Sequence, residues 1–374
     1  MIYLLILLAF TISALMSMII IPRILVVALK KRLFDIPDSR KVHKEAIPRL
    51  GGLSFAPSIL FSLSFVSALY CAEYMHGQQI PLWLLTHTLS EFYLLVCGVI
   101  LLYLAGLKDD LVGMRYTKKF MVQLVAALLL PLSGLWINNL YGLFGIHELA
   151  SWIGIPLTIL VIIFITNAIN LIDGIDGLAS GLCSIACLLY GLTFLMFHQY
   201  IYAMLAFATL GVLVPFFYYN VFGNAEHGKK IFMGDTGSLT VGMMLCLLSL
   251  KLTMCGTDDN TVHINPMVLA FSPLLIPCCD VVRVYLHRVR NGKNPFLPDK
   301  NHIHHKLLAV GMQQRSVMII VISVSTVFIL FNILLSLYLN VNWIVLVDIL
   351  IWTFTNIRLT KRIGQLQSRQ ATNK

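Results

Sequence analysis

Charge is what this sequence has least of. Asp, Glu, Lys and Arg make up 12% of its 374 residues, about half the share of an ordinary soluble domain. No polar segment is long enough for a separate water-soluble domain, so residues 1–374 read as one integral domain. The eight cysteines show no CxxC spacing and fall in or beside apolar runs. That pattern points to packed thiols and against a disulfide framework or a structural zinc site. A cleavable leader is not expected either. The first apolar run has no basic residue before it and no small-residue cleavage site, and reads as a retained span.

What the chain does have is hydrocarbon: 58% hydrophobic residues and a mean hydropathy of +0.84. Apolar runs of roughly twenty residues recur from end to end, the length that crosses a bilayer as helix. They fall near 1–22, 50–72, 89–107, 120–137, 152–169, 177–196, 200–218, 236–253, 265–286, 317–339 and 342–357. The expected fold is therefore all-α and polytopic, with about eleven transmembrane helices. The net charge of +10 does not indicate nucleic acid, because every basic residue except Lys251 falls in alternate loops on one side. By the positive-inside rule that side is cytoplasmic, which puts the N-terminus outside and the C-terminus inside.

Polar motifs collect at the cytoplasmic ends of these spans. NAINLIDGIDGLASG, 167–181, follows a purely apolar run and repeats Asn167, Asn170, Asp173 and Asp176 at every third position. Such spacing keeps side chains on nearly one helical face, and Gly174 and Gly177 let backbone approach a ligand. Asp109 and Asp110 sit just ahead of Arg115, Lys118 and Lys119. Adjacent carboxylates repel unless a cation, a proton or a base offsets them, so the pair suits a metal–phosphate ligand or a solvated helix end equally. In FMGDTGS, 232–238, Asp235 between Gly234 and Gly237 starts a span, as an N-cap, a Mg²⁺ ligand or both. Asp280 lies inside an apolar span, where a carboxylate is functional by default, although a pair with Arg283 explains it as well. The longest inner loop, 287–316, carries Pro295 and Pro298 before a short helix starting near Asn301. His302, His304 and His305 crowd its first turn, with Gly311 as the stop. Phe296, Leu297, Ile303, Leu307 and Leu308 would let this segment lie in the interface. Opening the second span, HKEAIPRLGG, 43–52, is a basic anchor or a close-packing turn. On the outer face, Glu91, the 138–151 loop and Asp258, Asp259 and His263 carry no chemistry.

In that order HKEAIPRLGG, KDDLVG, NAINLIDGIDGLASG, FMGDTGS and NHIHH resemble the polyprenyl-phosphate N-acetylhexosamine-1-phosphate transferases. The resemblance extends from residue 43 to residue 305, through cytoplasmic loops near 23–49, 108–119, 170–176, 219–235 and 287–316. It implies transfer of a sugar 1-phosphate from a UDP-sugar to a lipid phosphate, releasing UMP, with Mg²⁺ (Mn²⁺ as the alternative) as cofactor. It places Asp109, Asp110 and Asp235 in catalysis and Asp235, Asp110 and Asn170 at the metal. Asn170, Asp173, Asp176, Lys119, Asn220, His302, His304 and His305 would bind substrate. Ile303 interrupts the histidines, as in the branch using UDP-GlcNAc rather than UDP-MurNAc-pentapeptide. The expected partners are UDP-GlcNAc, undecaprenyl phosphate and the bilayer, with a homodimer allowed, in the bacterial inner membrane. An ion-coupled carrier is the rival class, but carriers put their ionisable groups near the midplane in related halves.

Overall fold

The computed structural model describes residues 1–34, 47–75, 82–255, 264–292, 294 and 301–372. The expectations placed on Pro295, Phe296, Leu297, Pro298, Asp258, Asp259, His263 and the first four residues of HKEAIPRLGG lie outside these. Thirteen α-helices are present among the described residues: α1 (Ile2–Lys31), α2 (Phe55–Met75), α3 (Leu82–Val112), α4 (Tyr116–Leu132), α5 (Ser151–Ile172), α6 (Leu178–Met196), α7 (Tyr200–Val221), α8 (Gly234–Met254), α9 (Pro266–Phe271), α10 (Leu275–Arg290), α11 (Ile303–Ala309), α12 (Gln314–Ser336) and α13 (Val341–Thr372).

Among the described residues, ten helical segments are long and apolar enough to cross a membrane. One of them joins α9 and α10 through a short 3₁₀ turn at Ser272–Leu274. The eleventh expected span is α4, whose 17 residues give a length of about 26 Å, slightly less than the hydrocarbon core. The fold is that of an all-α polytopic membrane protein. Large apolar side chains such as Leu160, Leu192, Leu330 and Ile349 remain exposed on the outside of the bundle, which suits a lipid solvent rather than water.

Helix α8 is the axis of the bundle. Every residue from Thr236 to Leu250 is buried, and α3, α5, α6 and α7 pack around it. Such a helix reads as apolar on every side because no face of it meets water. The strip before α2 reaches the start of this axis. Gly51 and Gly52 donate to the carbonyls of Phe232 and Met233, each at 2.9 Å, and Phe232 donates back to Pro48. A Cβ on Gly52 would lie 2.0 Å from the Gly237 nitrogen, so the glycine is required by close backbone packing. HKEAIPRLGG is therefore a packing element where it is described.

The opposite end has a structural role, as its lack of motifs implied. Residues 138–151 contain a β-hairpin, β1 (Asn139–Leu143) paired antiparallel with β2 (Ile146–Glu148). The hairpin is tied to the end of α8 by Tyr141 Oη donating to the Thr253 carbonyl, and to α13 by Asn342. Glu91, near the outer end of α3, is buried. It accepts two bonds from Lys251 at 2.8 and 3.0 Å and one from the Tyr202 hydroxyl. The one basic residue that broke the sidedness pattern is thus paired within the bundle, as a charge out of water requires. All eight cysteines are free thiols.

Candidate active site

At the opposite end from the hairpin, five elements bring their polar ends together. The last turn of α3 carries Asp109 and Asp110, which are adjacent and so point about 100° apart around the helix. Asp110 faces the N-terminus of α8. Its Oδ1 accepts the Asp235 N–H at 2.8 Å, and its Oδ2 accepts the Thr236 N–H at 2.9 Å and the Thr236 hydroxyl at 2.6 Å. These are the free amides that any helix start leaves over, and a carboxylate there also opposes the helix dipole. Both oxygens of Asp110 accept bonds from the first turn of α8, so this side chain anchors the segment that carries Asp235.

Asp109 faces the other way. Its Oδ1 accepts the Met114 N–H at 2.7 Å, which closes the turn into α4, and its Oδ2 accepts from Lys119 Nζ at 3.0 Å. The same ammonium donates to Asp235 Oδ2 at 2.6 Å. Lys119 stands in the first turn of α4, so the short α3–α4 turn delivers it between the two carboxylates. The other oxygen of Asp235 accepts from Asn170 Nδ2, which also donates to the Ser238 hydroxyl at 2.8 Å. Asn170 Oδ1 makes no hydrogen bond to a described residue.

The every-third-residue repeat divides in two. Asn167 lies one turn deeper and forms a reciprocal amide pair with Gln123, at 3.2 and 3.0 Å, so it belongs to the packing of α4 on α5. Asn170, Asp173 and Asp176 stay at the site. Asp176 pairs with Lys230 at 2.7 Å. Asp173 follows the last residue of α5. Burial pushes its carboxyl up to about 7, helped by the nearby charges of Asp235, Asp176 and Asp110 and opposed by Arg49. Asn220 is not free to meet substrate. Its Oδ1 accepts the Gly177 N–H at 2.6 Å and its Nδ2 donates to the Ile231 carbonyl at 2.8 Å, which stitches the 173–177 turn to the approach of α8.

The histidine helix begins at Ile303 and stops before Gly311, close to the expected limits. Asp280 holds its start, accepting from Arg283 at 2.7 Å, from His302 Nδ1 at 2.8 Å and from the Ile303 N–H at 3.0 Å. The expected Arg283 pair exists, and the same carboxylate fixes the start of the histidine helix. His304 is buried against Gly174, where a Cβ would lie 2.2 Å from its Nε2. Neither ring nitrogen of His304 has a hydrogen-bond partner among the described residues. Burial, then the charges of His305 and His302, lower its pKa to about 3, so the ring is neutral. His305 lies against it, with ring centroids 4.3 Å apart. Thus Asp109, Asp235, Lys119 and Asn170 form one cluster, joined through Gly174 to the histidines, while Asp110 and Asn220 hold its frame. Thr236, Ser238, Lys230 and Arg49 were not anticipated. A hydroxyl on either side of Gly237 directly after Asp235 was the available signal for the first two.

Residues 92–253 match the family model described as glycosyl transferase family 4. A Bacillus subtilis protein named as a probable undecaprenyl-phosphate N-acetylglucosaminyl 1-phosphate transferase is 31% identical over 325 residues, covering 86% of this chain and 82% of that one. The chain belongs to glycosyl transferase family 4. Other family members similar to it include the undecaprenyl-phosphate alpha-N-acetylglucosaminyl 1-phosphate transferase of Yersinia pestis, 29% identical over 79% of this chain and 74% of its own. The decaprenyl-phosphate N-acetylglucosaminephosphotransferase of Mycobacterium leprae is 31% identical, over 76% and 72%. The part matched by the family model holds every carboxylate of the cluster and ends before the histidine helix.

Can this family site take a divalent cation? Among the described residues no three His, Cys, Asp or Glu side chains converge as a metal cage, which excludes the closed tetrahedral arrangement of a structural zinc site. Mg²⁺ asks for less, since it keeps water and binds through one or two carboxylates plus substrate phosphates. Asp235, with Asn170 Oδ1 beside it, supplies a donor set of that kind. The residues fit the ion.

Proposed function

We propose that this chain transfers N-acetylglucosamine 1-phosphate from UDP-GlcNAc to undecaprenyl phosphate and releases UMP, at the cytoplasmic face of a bacterial inner membrane. The observation that carries the reading is the Lys119 ammonium shared by Asp109 and Asp235 at one end of the bundle, in a chain whose relatives are named for this transfer. A phosphate on a membrane-anchored acceptor stays at the bilayer surface, and the site stands at the ends of the spans. Basic loops on that side suggest the cytoplasmic orientation, and Ile303 between the histidines favours UDP-GlcNAc over UDP-MurNAc-pentapeptide.

In the reaction, an oxygen of the acceptor phosphate bonds to the sugar-bearing phosphorus of the UDP-sugar. The bond from that phosphorus to the bridging oxygen breaks, and UMP departs with the electron pair. Phosphoryl transfer is governed by positioning and charge stabilisation. Lys119 would exchange part of its carboxylate pairing for phosphate oxygens and hold the two phosphates together. Asp109 would take any proton left on the acceptor phosphate, whose second ionisation near pH 6 leaves it mostly dianionic at neutrality. Asp235 and Asn170 would hold Mg²⁺, or Mn²⁺ in its place, which supplies charge neutralisation on the pyrophosphate oxygens. Asp173, Asp176 and the neutral His304, with His302 and His305 beside it, would line the nucleotide and sugar side. Direct attack by the acceptor phosphate is favoured over an aspartyl intermediate.

The deciding experiment supplies the purified protein with undecaprenyl phosphate, Mg²⁺ and a panel of UDP-sugars, and identifies the nucleotide released. UMP that appears only with lipid phosphate and UDP-GlcNAc supports the reading. Release of UDP would mean glycosyl transfer, and UMP with a different sugar would move the substrate assignment.

A further inference from the structure

Two donors reach the Asp235 carboxylate from two different helices. Lys119, in the first turn of α4, places its Nζ 2.6 Å from Oδ2, and Asn170, in the last turn of α5, donates to Oδ1. One turn deeper the same two helices meet again. There Gln123 Nε2 donates to Asn167 Oδ1 at 3.2 Å, and Asn167 Nδ2 donates to Gln123 Oε1 at 3.0 Å. Gln123 follows Lys119 by four residues and Asn167 precedes Asn170 by three, so each amide lies on the helical face of the donor above it. The amide orientations are fixed as well. Asn167 Nδ2 also donates to the Ile163 carbonyl at 2.7 Å, which only the NH₂ end of an amide can do, and reciprocity then sets Gln123.

The other buried residues of α4 are Ala126, Ala127 and Leu130. Small side chains let helices in a membrane approach closely, but they carry no group that resists sliding or rotation. The start of α4 is not held by a cap either, since Arg115 at the cap position makes no side-chain bond to the first turn. A slide by one residue, about 1.5 Å, would separate both amide bonds together, so the reciprocal pair fixes depth and rotation in one contact. We propose that Gln123 is a positioning residue: through Asn167 it sets α4 on α5 and thereby holds the Lys119 ammonium between Asp109 and Asp235. Gln123 is itself buried below the cluster and acts through Lys119. Its effect on turnover rests on the transfer proposed above, whereas its hold on Lys119 does not.

The test uses Gln123→Leu, which removes the pair at similar volume, in the full chain in detergent. The first readout needs no substrate: the rate at which an amine-reactive ester modifies Lys119, followed by mass spectrometry well below the melting temperature. Lys119 donates to two carboxylates and should react slowly in the parent. Gln123→Leu should speed that reaction about fivefold or more through local opening. Lys251, paired with Glu91 at the other end of the bundle, should keep its parental rate, which separates a local shift from general loosening. The exchanged pair Gln123→Asn/Asn167→Gln keeps one long and one short amide and should return Lys119 towards its parental rate. The second readout is UMP release. Gln123→Leu should lower kcat by about tenfold and raise the Mg²⁺ requirement, with no further loss when added to Lys119→Met, because a residue acting through Lys119 then has nothing to act on. An unchanged Lys119 rate, equal acceleration at Lys251, no slowing in the exchanged pair, or a further loss on top of Lys119→Met would each overturn the proposal. A parent that releases no UMP would instead refute the transfer reading, and the labelling rates would still decide whether Gln123 holds Lys119.

Discussion

The assignment of Asp110 to the frame rather than the chemistry is tested by Asp110→Asn. The carboxylate accepts three hydrogen bonds from the first turn of α8. The variant keeps one carbonyl oxygen, which can go on serving the Thr236 amide and hydroxyl as a neutral acceptor. Its NH₂ group then meets the Asp235 N–H, donor against donor. One charge-assisted bond, about 1.5–3 kcal/mol, is lost outright, and the other two weaken to the neutral scale. Loss of the helix-terminus charge adds about 0.3–1 kcal/mol. The sum is roughly 3–5 kcal/mol, concentrated at the residue that positions the Asp235 carboxylate. We expect a melting transition lower by several degrees together with reduced, measurable UMP release. Asp235→Asn serves as the contrast, since it should abolish turnover with a smaller change in melting. The assay pairs thermal unfolding in detergent, followed by tryptophan fluorescence, with nucleotide release on the same preparations. An Asp110→Asn protein that melts like the parent and is catalytically dead would refute the argument and return Asp110 to the chemistry.

Three further outcomes follow from the same contacts. Lys119→Met leaves Asp109 and Asp235 facing each other without their shared cation; turnover should fall by at least a hundredfold and the Mg²⁺ requirement should shift to higher concentration, and near-normal activity would remove Lys119 from phosphate binding. Gly174→Ala drives a Cβ to 2.2 Å from the His304 ring, so the histidine helix must move; protease nicking within 287–316 should accelerate and the KM for UDP-sugar rise, and an unchanged KM would separate that helix from the donor. His304 has a folded pKa of about 3 against an ordinary value near 6.5, so the unfolded chain binds the extra proton and stability falls as pH drops below 6.5, by about 2 kcal/mol at pH 5. His304→Phe should therefore narrow the gap in melting temperature between pH 8 and pH 5, and an equal gap in both proteins would contradict the buried neutral ring.

The spans, the family resemblance and the end of the bundle that carries the site were legible because each rests on a local pattern. Runs of about twenty apolar residues have one solution in a bilayer, and polar residues within such a chain are sparse enough to stand out. Orientation within a motif was not legible. Asp109 and Asp110 are neighbours in sequence, yet helix geometry sends one to Lys119 and the other to the α8 amides, and only the position of α8 decides which. Asn167 shares the i, i+3 spacing of its companions, but one turn of depth places it opposite Gln123 instead of at the cluster. Asn220 looks like a substrate amide until Gly177 and Ile231 claim both its ends. Glu91 and Lys251 are 160 residues apart, and neither motif nor period could pair them. The hairpin at 139–148 depends on positive-φ conformations at Tyr141, Gly142, Phe144 and Gly145, only two of which glycine announces.

The charges of the cluster also explain how such a site survives between turnovers. Asp109 and Asp235 alone would repel across a short distance in a partly desolvated setting, and one of them would take a proton or swing away. Lys119 opposes both by donating to each, which holds the carboxylates close without a substrate. Yet an ammonium with three N–H groups that spends two on carboxylates has one left, and it can trade either bond for a phosphate oxygen at little electrostatic loss. On the proposed reading, phosphate would be admitted where Lys119 can meet it and where a divalent cation would neutralise it. Selectivity for a metal-associated pyrophosphate over a free one can thus arise from where a single lysine sits among five carboxylates, before any contact with the sugar is made.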